Sequence, residues 1–407
     1  MAQTMVRKVV MSSACVVMGI TRRSSARSLS AISKLLSEGE ITKSVFMSQS
    51  TDIYTNLALE DWMYRNMDFS KHHMMMVWRN EPCVVIGKHQ NPWKEANVPL
   101  LAEKDIALAR RNSGGGTVYH DRGNLNVTFF TSRDKYDRKY NLELVKRALF
   151  RGFGVSAEIN ERQDIIVRDK YKISGTAAKL GRLTAYHHCT LLVNANKTDL
   201  RKALAKREHG IQTNATASTP SPVTNLADVE QKITVDALQT ALGYEYLRTP
   251  AMSLHDGGET QISKQRGFQY INPTAQWFPG LDELRNELTT WDWCFGRTPV
   301  FTVSRSFPVP PELLSQKTYT STQELIINMS VEKGLINDVT LNIPPGLVES
   351  GFHGEASVIT GLKGKRFTSE ALEALQDAML TRHSDDKTLD DKEQFVAKCF
   401  TQVVNTV

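Results

Sequence analysis

The sequence predicts an α+β protein with two domains: a large domain built on a β-sheet with flanking helices, and a smaller α+β domain after it. The chain has 407 residues, more than a single hydrophobic core usually holds. Apolar residues alternate over Asn124–Phe130, as in a strand, and recur at helical spacing over Ile53–Met67. Strand patterns at 300–303 and 325–329, then a helical pattern at 369–380, indicate the second domain. We therefore divide the chain into a leader (1–37), a large domain (38–285) and an accessory domain (286–407).

The first helix and the strands after it are bounded by local signals. Side chains of Ser50–Asp52 can cap the helix that begins at Ile53. Apolar runs at Met74–Arg79 and Cys83–Ile86, separated by Asn80-Glu81-Pro82, predict a hairpin. Gly87–Asn91 would follow as a loop at a strand end, where ligand contacts often lie. Our interpretation of Trp78 and Trp93 is packing, and the alternative is that either lines a ligand tunnel.

Three consecutive glycines, Gly114–Gly116, precede the strand that begins at Asn124. Without a Cβ the backbone can adopt φ > 0 and approach a ligand closely, with its N–H groups as donors. Arg111 and Ser113 add a charge and a hydroxyl beside them. The pattern is neither G-x-G-x-x-G opening a helix nor G-x-x-x-x-G-K-[ST], so it predicts neither a Rossmann nor a Walker site. It indicates either a loop that cradles a phosphate or a tight turn without a ligand.

Three later helices are predicted from spacing and from their stop signals. The first spans Asn141–Arg151 and is closed by glycines at 152 and 154. The second spans Thr234–Leu242 and is closed by Gly243, and the third spans Asp282–Thr290. Between the first two, residues 210–222 have the Thr, Ser, Ala and Pro composition of a loop.

Two adjacent histidines lie in a predicted strand that follows a shorter one at Asp164–Val167. Because successive side chains of a strand point to opposite faces, His187 and His188 cannot chelate one metal ion together. We interpret both as structural histidines with satisfied hydrogen bonds. Thr190 falls on the face of His188 and can donate to a ligand there.

Composition restricts the classes of function. With 41% hydrophobic and 23% charged residues the chain is an ordinary globular protein, and no apolar run is long enough to span a bilayer. Its net charge is +6, but residues 1–37 hold six basic and no acidic residues, so the remainder carries +6 − 6 = 0. Bulk charge therefore does not indicate a nucleic-acid groove.

The leader and the cysteines indicate the compartment. A segment that is rich in Ser and Arg and free of acids predicts a mitochondrial transit peptide, and the alternative is a disordered tail. The cysteines are scattered without C-x-x-C spacing, which predicts a reduced compartment with neither a zinc site nor a disulfide framework. They are Cys15, Cys83, Cys189, Cys294 and Cys399.

Five motifs in order resemble those of the lipoate-protein ligase A and lipoyltransferase family, which belongs to the biotin/lipoate protein ligase superfamily. The resemblance is greatest to its mitochondrial lipoyltransferases. The motifs are V-V-I-G-K-H-Q-N-P (84–92), R-R-N-S-G-G-G-T-V-Y-H-D-R-G-N (110–124), K-I-S-G-T-A (172–177), H-H-C-T-L-L (187–192) and W-D-W-C-F-G-R-T-P (291–299). This resemblance implies a mixed β-sheet of the biotin/lipoate ligase type with an accessory domain.

The resemblance also implies a function. A lipoyl group would pass from lipoyl-AMP, or from lipoylated glycine-cleavage H protein, to a lysine of a lipoyl domain in H protein or in an E2 subunit of a 2-oxoacid dehydrogenase. No cofactor would be bound permanently, no metal would be held, and Mg²⁺ would be needed only if ATP is used. The family further implies a monomer in the mitochondrial matrix that binds neither nucleic acid nor membrane.

Site residues follow from the same motifs. Lys172 matches the essential lysine and would contact both the acyl carbonyl and the phosphate. No Ser-His-Asp or Cys-His constellation stands at a family position, so we expect direct transfer without an acyl-enzyme. Arg162 would be a solvated arginine by sequence alone, and the family marks it as a ligand contact. The residues expected to bind lipoyl-AMP are Arg111, Ser113, Gly115, Gly116, Tyr119, Arg162, Lys172, Thr190, Thr219 and Ser221.

One segment departs from the family. Bacterial ligases resemble S-x-R-S-x-V-T-N-L where this chain has S-T-P-S-P-V-T-N-L, with Pro220 at the arginine position. Losing a guanidinium removes a bidentate phosphate partner, which argues against ATP activation. Backbone groups around Thr219 and Ser221 can still contact an adenine. The alternatives are a complete ATP-dependent ligase and, in another class, a non-catalytic binder of lipoylated carrier proteins.

Overall fold

The computed structural model describes residues 41–205, 210–315, 321–357, 362–368 and 390–405, together with 371 and 373. The predicted leader and most of the predicted helix at 369–380 lie outside these residues. The strands are β1 (Thr42–Ser48), β2 (His72–Trp78), β3 (Cys83–Ile86), β4 (Ala107–Arg110), β5 (Val118–His120), β6 (Asn124–Ser132), β7 (Glu158–Ile159), β8 (Ile165–Val167), β9 (Tyr171–Lys172), β10 (Thr176–Leu180), β11 (Thr184–Leu192), β12 (Ile211–Thr213), β13 (Phe268–Ile271), β14 (Phe301–Pro308), β15 (Glu324–Glu332), β16 (Leu335–Ile343) and β17 (Gly354–Ser357). The α-helices are α1 (Ile53–Asn66), α2 (Pro92–Glu95), α3 (Val98–Glu103), α4 (Arg138–Phe153), α5 (Lys197–Ala203), α6 (Val235–Arg248), α7 (Gly258–Ile262), α8 (Leu281–Thr289), α9 (Trp291–Cys294) and α10 (Asp391–Asn405).

A mixed sheet of six strands forms the centre of the large domain, in the order β10-β11-β6-β2-β1-β13. The pairs of β1 with β2 and β13 are parallel, and the other pairs are antiparallel. Two three-stranded sheets, β4-β3-β5 and β7-β8-β9, lie beside it, and the antiparallel sheet β12-β14-β15-β16-β17 belongs to the accessory region. The predicted α+β class with a mixed sheet is confirmed.

The two faces of the six-stranded sheet bury different sets of side chains. Leu125, Val127 and Phe129 of β6 pack with α4 and α6 on one face, while Phe130 packs with α1 and α8 on the other. Thr128 shares the face of Phe130 and turns a hydroxyl toward α1. The predicted alternation along this strand is confirmed, and its polar positions lie on the side that carries the site.

Local signals located two helix ends correctly. The Asp52 carboxylate accepts a hydrogen bond from the backbone N–H of Thr55, 2.9 Å away, and so caps α1. At the end of α4, Gly154 adopts φ 69° and donates its N–H to carbonyls of the last turn. Gly152 lies inside the helix and does not end it.

The predicted hairpin at Met74–Ile86 is wrong. β2 pairs with β1 and β6, while β3 pairs with β4 and β5 in another sheet. The buried Asn80 in the connection accepts a hydrogen bond from Asn56 and contacts the His120 ring, each at 2.9 Å. These contacts of Asn80 direct the chain from one sheet to the next in place of a tight turn.

The predicted stop at Gly243 is also wrong, because α6 continues to Arg248. A Cβ on Gly243 would lie 2.2 Å from a ring carbon of Phe268 in β13. The glycine is therefore required for the contact between helix and strand, and packing rather than termination explains it.

The accessory sheet includes a strand from the part of the chain that was predicted to form the large domain. Strands predicted at 300–303 and 325–329 are found in β14 and β15. β12, inside the predicted loop at 210–222, pairs with β14. The Trp93 ring packs against Phe295, Phe301 and Phe367 with centroid distances of 5.1–5.5 Å. The packing interpretation of Trp93 is confirmed, and the domain boundary at residue 285 stays a prediction.

A buried arginine joins the two regions. The Arg110 guanidinium donates to the carbonyls of Trp293 and Cys294 and to the Thr298 hydroxyl on the accessory side. Its Nη1 donates to the carbonyls of residues 87, 88 and 90 on the other. Burial lowers the pKa of Arg110 to about 10, so the group stays charged at neutral pH.

The described residues include four free, buried cysteines, at 83, 189, 294 and 399. No helix within the described ranges is both long and apolar enough to cross a bilayer.

Candidate active site

The glycine loop (Asn112–Thr117) runs between β4 and β5. Its conformation depends on a glycine within it, Gly115, and on a glycine beside it, Gly87. Gly115 has φ 85°, in the left-handed region that favours glycine. A Cβ on Gly87, at the end of β3, would lie 2.1 Å from the carbonyl oxygen of Gly115, so only glycine permits this approach. In contrast, a Cβ on Gly114 would meet nothing within 4 Å.

Arg111 holds the shape of the glycine loop. Its Nη2 donates to the carbonyls of Gly114 and Gly116, both at 2.7 Å, and its Nη1 donates to that of Val85 at 3.1 Å. Burial lowers its pKa to about 10. The sequence suggested Arg111 as a charge offered to a ligand. It does line the cavity described below, but most of its donors are used by the protein backbone.

A chain of buried hydrogen bonds runs from this arginine to Trp78. Arg111 Nε lies 3.0 Å from Ser113 Oγ, which lies 2.8 Å from His188 Nε2. The other ring nitrogen of His188 is 2.8 Å from Glu60 Oε1, which accepts from Thr128 at 2.7 Å. Thr128 accepts in turn from the Trp78 indole at 3.0 Å. The glycine loop is thereby connected to the opposite wall of the cavity.

Glu60 is the charged member of this chain. Burial raises the pKa of its carboxyl, but the charge of His188 and hydrogen bonds from His188 and Thr128 outweigh burial, so the pKa lies below its ordinary value. Sequence reasoning missed Glu60. A signal was present, because Glu60 follows Ile53 and Leu57 at helical spacing and so lies on the apolar face of α1.

The first cavity has a volume of about 310 Å³ and lies between the glycine loop, β6, β10 and β11. Apolar walls come from Leu57, Trp78, Val85 and Val118. The side-chain nitrogens His120 Nε2 and Asn126 Nδ2 are buried without a partner among the described residues. Burial lowers the pKa of His120 to about 3, so its ring is neutral. The cavity can take an apolar chain and offers N–H donors to a polar or polarisable group.

Lys172 also lines this cavity. Its Nζ is 2.7 Å from Oδ1 of the buried Asp164, which sequence reasoning did not select. Its backbone accepts from Thr224 and donates to Pro222, which fixes β9 against residues 222–224. Asp164 thus holds the ammonium group toward the cavity.

A second cavity of about 390 Å³ adjoins the first. It is lined mainly by apolar groups, among them Tyr119, Leu192, Leu200 and Val223. The two cavities share the walls Thr117, Val118, Lys172, Gly175, Thr190, Ser218 and Thr219. Together they form one continuous binding space with Lys172 in the shared wall, which suits a ligand of two parts.

The structure brings nearly all the residues selected from sequence to this space. Arg111, Gly115, Gly116 and the exposed Arg162 line the first cavity. Tyr119 and Ser221 line the second cavity, and Lys172, Thr190 and Thr219 line both. Ser113 lines neither, because its hydroxyl is engaged by Arg111 and His188 behind the loop.

No group of three or more His, Cys, Asp or Glu side chains in the described part of the chain is arranged to hold a metal ion.

Sequence comparisons identify several relatives. The model of the lipoyl protein ligase A/B catalytic domain matches residues 52–246. The mitochondrial lipoyl amidotransferase of Homo sapiens is 44% identical over 267 residues, covering 65% of this chain and 68% of the relative. Its counterpart in Mus musculus is 40% identical over 305 residues, covering 74% and 76%. The lipoate-protein ligase A of Psychrobacter cryohalolentis is 35% identical over 265 residues, covering 63% and 74%.

A solved structure supports the fold. The crystal structure of P. falciparum LipL1 in complex with lipoate aligns with a TM-score of 0.54 at 23% identity, covering 88% of this chain and 99% of that chain.

Proposed function

Because the chain belongs to the lipoate-protein ligase family of enzymes, we propose that it transfers a lipoyl group to a specific lysine of lipoyl-domain proteins. The donor is lipoyl-AMP or lipoylated H protein. The acceptors are the glycine-cleavage H protein and E2 subunits of 2-oxoacid dehydrogenases.

The continuous binding space, with Lys172 in the wall that both cavities share, carries this proposal. An acyl-adenylate has an apolar tail and a nucleotide joined at a mixed anhydride. The tail suits the first cavity, whose walls include apolar side chains such as Leu57 and Trp78, and the nucleotide suits the second, whose walls include the Arg201 guanidinium and several hydroxyl groups. In that arrangement the anhydride lies at Lys172, the single cation that lines both cavities among the described residues.

The proposed reaction forms an amide and releases AMP. The ε-amine of the acceptor lysine attacks the lipoyl carbonyl carbon, and the C–N bond forms while the amine loses a proton. The bond from that carbon to the phosphate oxygen breaks, and AMP leaves with the electron pair. Lys172 stabilises the oxyanion and then the AMP phosphate, and Asp164 keeps the ammonium in place. The anhydride is already activated, so positioning and charge stabilisation suffice.

A comparison of two donors tests the proposal. Activation of free lipoate needs ATP, a bridging divalent ion and cations that neutralise departing pyrophosphate. This chain has Pro220 in the second cavity where bacterial ligases tend to have arginine. We therefore expect efficient modification of apo-H protein by lipoyl-AMP without added metal, and little or none by lipoate with Mg-ATP. The measurement is pyrophosphate release alongside mass spectrometry of the H protein.

Pyrophosphate release at the rate of transfer would identify a complete ligase instead. Tight binding of lipoylated H protein with no turnover from either donor would identify a non-catalytic binder. A bacterial ligase of the family, assayed in parallel, is the positive control for activation.

We also infer a location in the mitochondrial matrix. The two mammalian relatives carry "mitochondrial" in their names, and residues 1–37 combine six basic with no acidic residues. Deleting residues 1–37 is expected to leave active enzyme in the cytosol, as cell fractionation would detect. Replacing only the six basic residues by Gln is the matched control and should have the same effect. Import of the truncated chain at unchanged efficiency would contradict this inference.

A further inference from the structure

The side chain of Gln90 joins three walls of the binding space. It is fully buried and follows β3 in the turn that begins at Gly87. Its Oε1 accepts from the backbone N–H of Gly87 at 2.8 Å and from the hydroxyl of Thr117 at 2.9 Å. Its Nε2 donates to the carbonyl of Thr216 at 3.2 Å and to Oγ of Ser218 at 3.0 Å.

This set of contacts determines the orientation of the amide. The Gly87 N–H can only donate, so the oxygen of Gln90 faces the glycine loop and the nitrogen faces residues 216–218. The amide oxygen accepts two hydrogen bonds and the amide nitrogen donates two, so both polar atoms of the amide have partners. Neither aspartate nor glutamate can reproduce the pattern, because an ionised carboxylate has no N–H to donate.

The donor side of Gln90 holds the segment Thr216–Thr219, which we term the cover segment. Thr216 and Ala217 line the first cavity, Ser218 and Thr219 line both, and most of the four residues are exposed. Ser218 Oγ also accepts from the N–H of Thr117 at 2.8 Å, and the N–H of Ser218 donates to Glu95 at 3.2 Å. The N–H of Thr216 also donates to the carbonyl of His89 at 3.1 Å, so Gln90 supplies two of these five hydrogen bonds that attach the cover segment.

The position of Gln90 is itself fixed from the accessory side. Arg110 Nη1 donates to the carbonyl of Gln90 at 2.8 Å, while Nη2 of the same guanidinium donates to Cys294 and Thr298. Trp93, three residues after Gln90, packs in the accessory core. The amide is therefore presented to the cover segment by a rigid support.

We propose that Gln90 is a positioning residue that holds the cover segment closed over the bound donor. This rests on the proposed function, since the donor is the acyl-adenylate inferred there. Gln90 acts on retention of the donor, and the chemical step belongs to Lys172.

Gln90→Glu is the sharpest test, because it retains the acceptor side, removes the two N–H donors and places a carboxylate oxygen against the Thr216 carbonyl. Hydrogen–deuterium exchange of residues 213–219 in the ligand-free protein should rise about tenfold, as expected for the loss of one or two neutral hydrogen bonds. KM for lipoyl-AMP should rise by about the same factor, with kcat changed less than about threefold. Gln212→Glu, the same chemical change at an exposed position of β12, is the matched control and should alter neither quantity.

Ser218→Ala provides a second route if Gln90→Glu is poorly folded. It removes the acceptor of one Gln90 bond and of the Thr117 N–H bond, and combining the two changes should give a non-additive effect on exchange. Unchanged exchange in both variants, or a lower kcat with unchanged KM, would overturn the proposal. If the parent enzyme transfers nothing from lipoyl-AMP, the proposed function fails, and the exchange experiment still decides the attachment by Gln90.

Discussion

Lys172→Ala is expected to lower the rate of lipoyl transfer from lipoyl-AMP at least about a hundredfold, as loss of a single oxyanion donor does. Lys172 lines both cavities, and no other lysine or arginine of the described residues lines both. A neutral methyl group there leaves the developing negative charge on the carbonyl oxygen and on AMP without a partner. Single-turnover kinetics with saturating lipoyl-AMP and apo-H protein measure the effect on the chemical step.

Two controls separate this loss of chemistry from a loss of structure. Removing Lys172 leaves the buried carboxylate of Asp164 unpaired, which can destabilise the fold on its own. The double variant Asp164→Asn/Lys172→Ala removes that charge and should regain the thermal midpoint without regaining transfer. Lys170→Ala, an exposed lysine in the same hairpin, should transfer normally. A single-turnover rate equal to the parent's in Lys172→Ala would remove this residue from the mechanism.

Gly115→Val is expected to reduce the affinity for lipoyl-AMP about a hundredfold or more, because small misplacements at a binding site are amplified in this way. At φ 85° a β-branched residue is strained, and a Cβ would lie 3.1 Å from Arg111 Nη2 and 3.4 Å from Ala177 Cβ. The added methyl groups enter the first cavity where the ligand approaches the loop. Isothermal titration with lipoyl-AMP measures the affinity.

The matched control is Gly114→Val, since a Cβ at that position meets nothing within 4 Å and Gly114 does not line either cavity. It should reduce affinity much less. The thermal midpoint of ligand-free Gly115→Val should fall only modestly, as expected for strain of about 1–2 kcal/mol at one residue. Tight lipoyl-AMP binding by folded Gly115→Val would favour the interpretation of the glycines as a simple turn.

Patterns among neighbouring residues predicted those helix ends and strands that depend on neighbouring residues alone. The Asp52 cap and the Gly154 stop depend on a few neighbouring residues, and the alternation along β6 depends on one strand. The hairpin and the stop at Gly243 failed because distant contacts decided them. Asn80 bonds to Asn56 and His120, and Gly243 makes room for Phe268. No pattern within a single element contains these contacts.

The same distinction applies to the site. Motifs located Lys172 and the glycine loop, because their residue types stand together in sequence. Glu60, Gln90 and Asp164 were not selected from the sequence. The partner of Glu60 is His188, which lies 2.8 Å away in space but 128 positions away in the sequence. Ser113 was expected to face the ligand and instead supports the loop from behind. Sequence motifs identified residues that line the two cavities, and tertiary contacts determined which side chains face them.

β12, Trp93 and Arg110 all contact the accessory region, and these contacts have a consequence for synthesis of the chain on the ribosome. All three come from the first 213 residues, yet their partners lie between Trp291 and Phe367. At about 5–20 residues per second, several seconds or more separate their emergence from that of their partners. During this interval the edge of β12 and the Trp93 indole lack their partners in the accessory region, and the Arg110 guanidinium has only its bonds to residues 87, 88 and 90. The binding space therefore reaches its final form only after the accessory region has been translated.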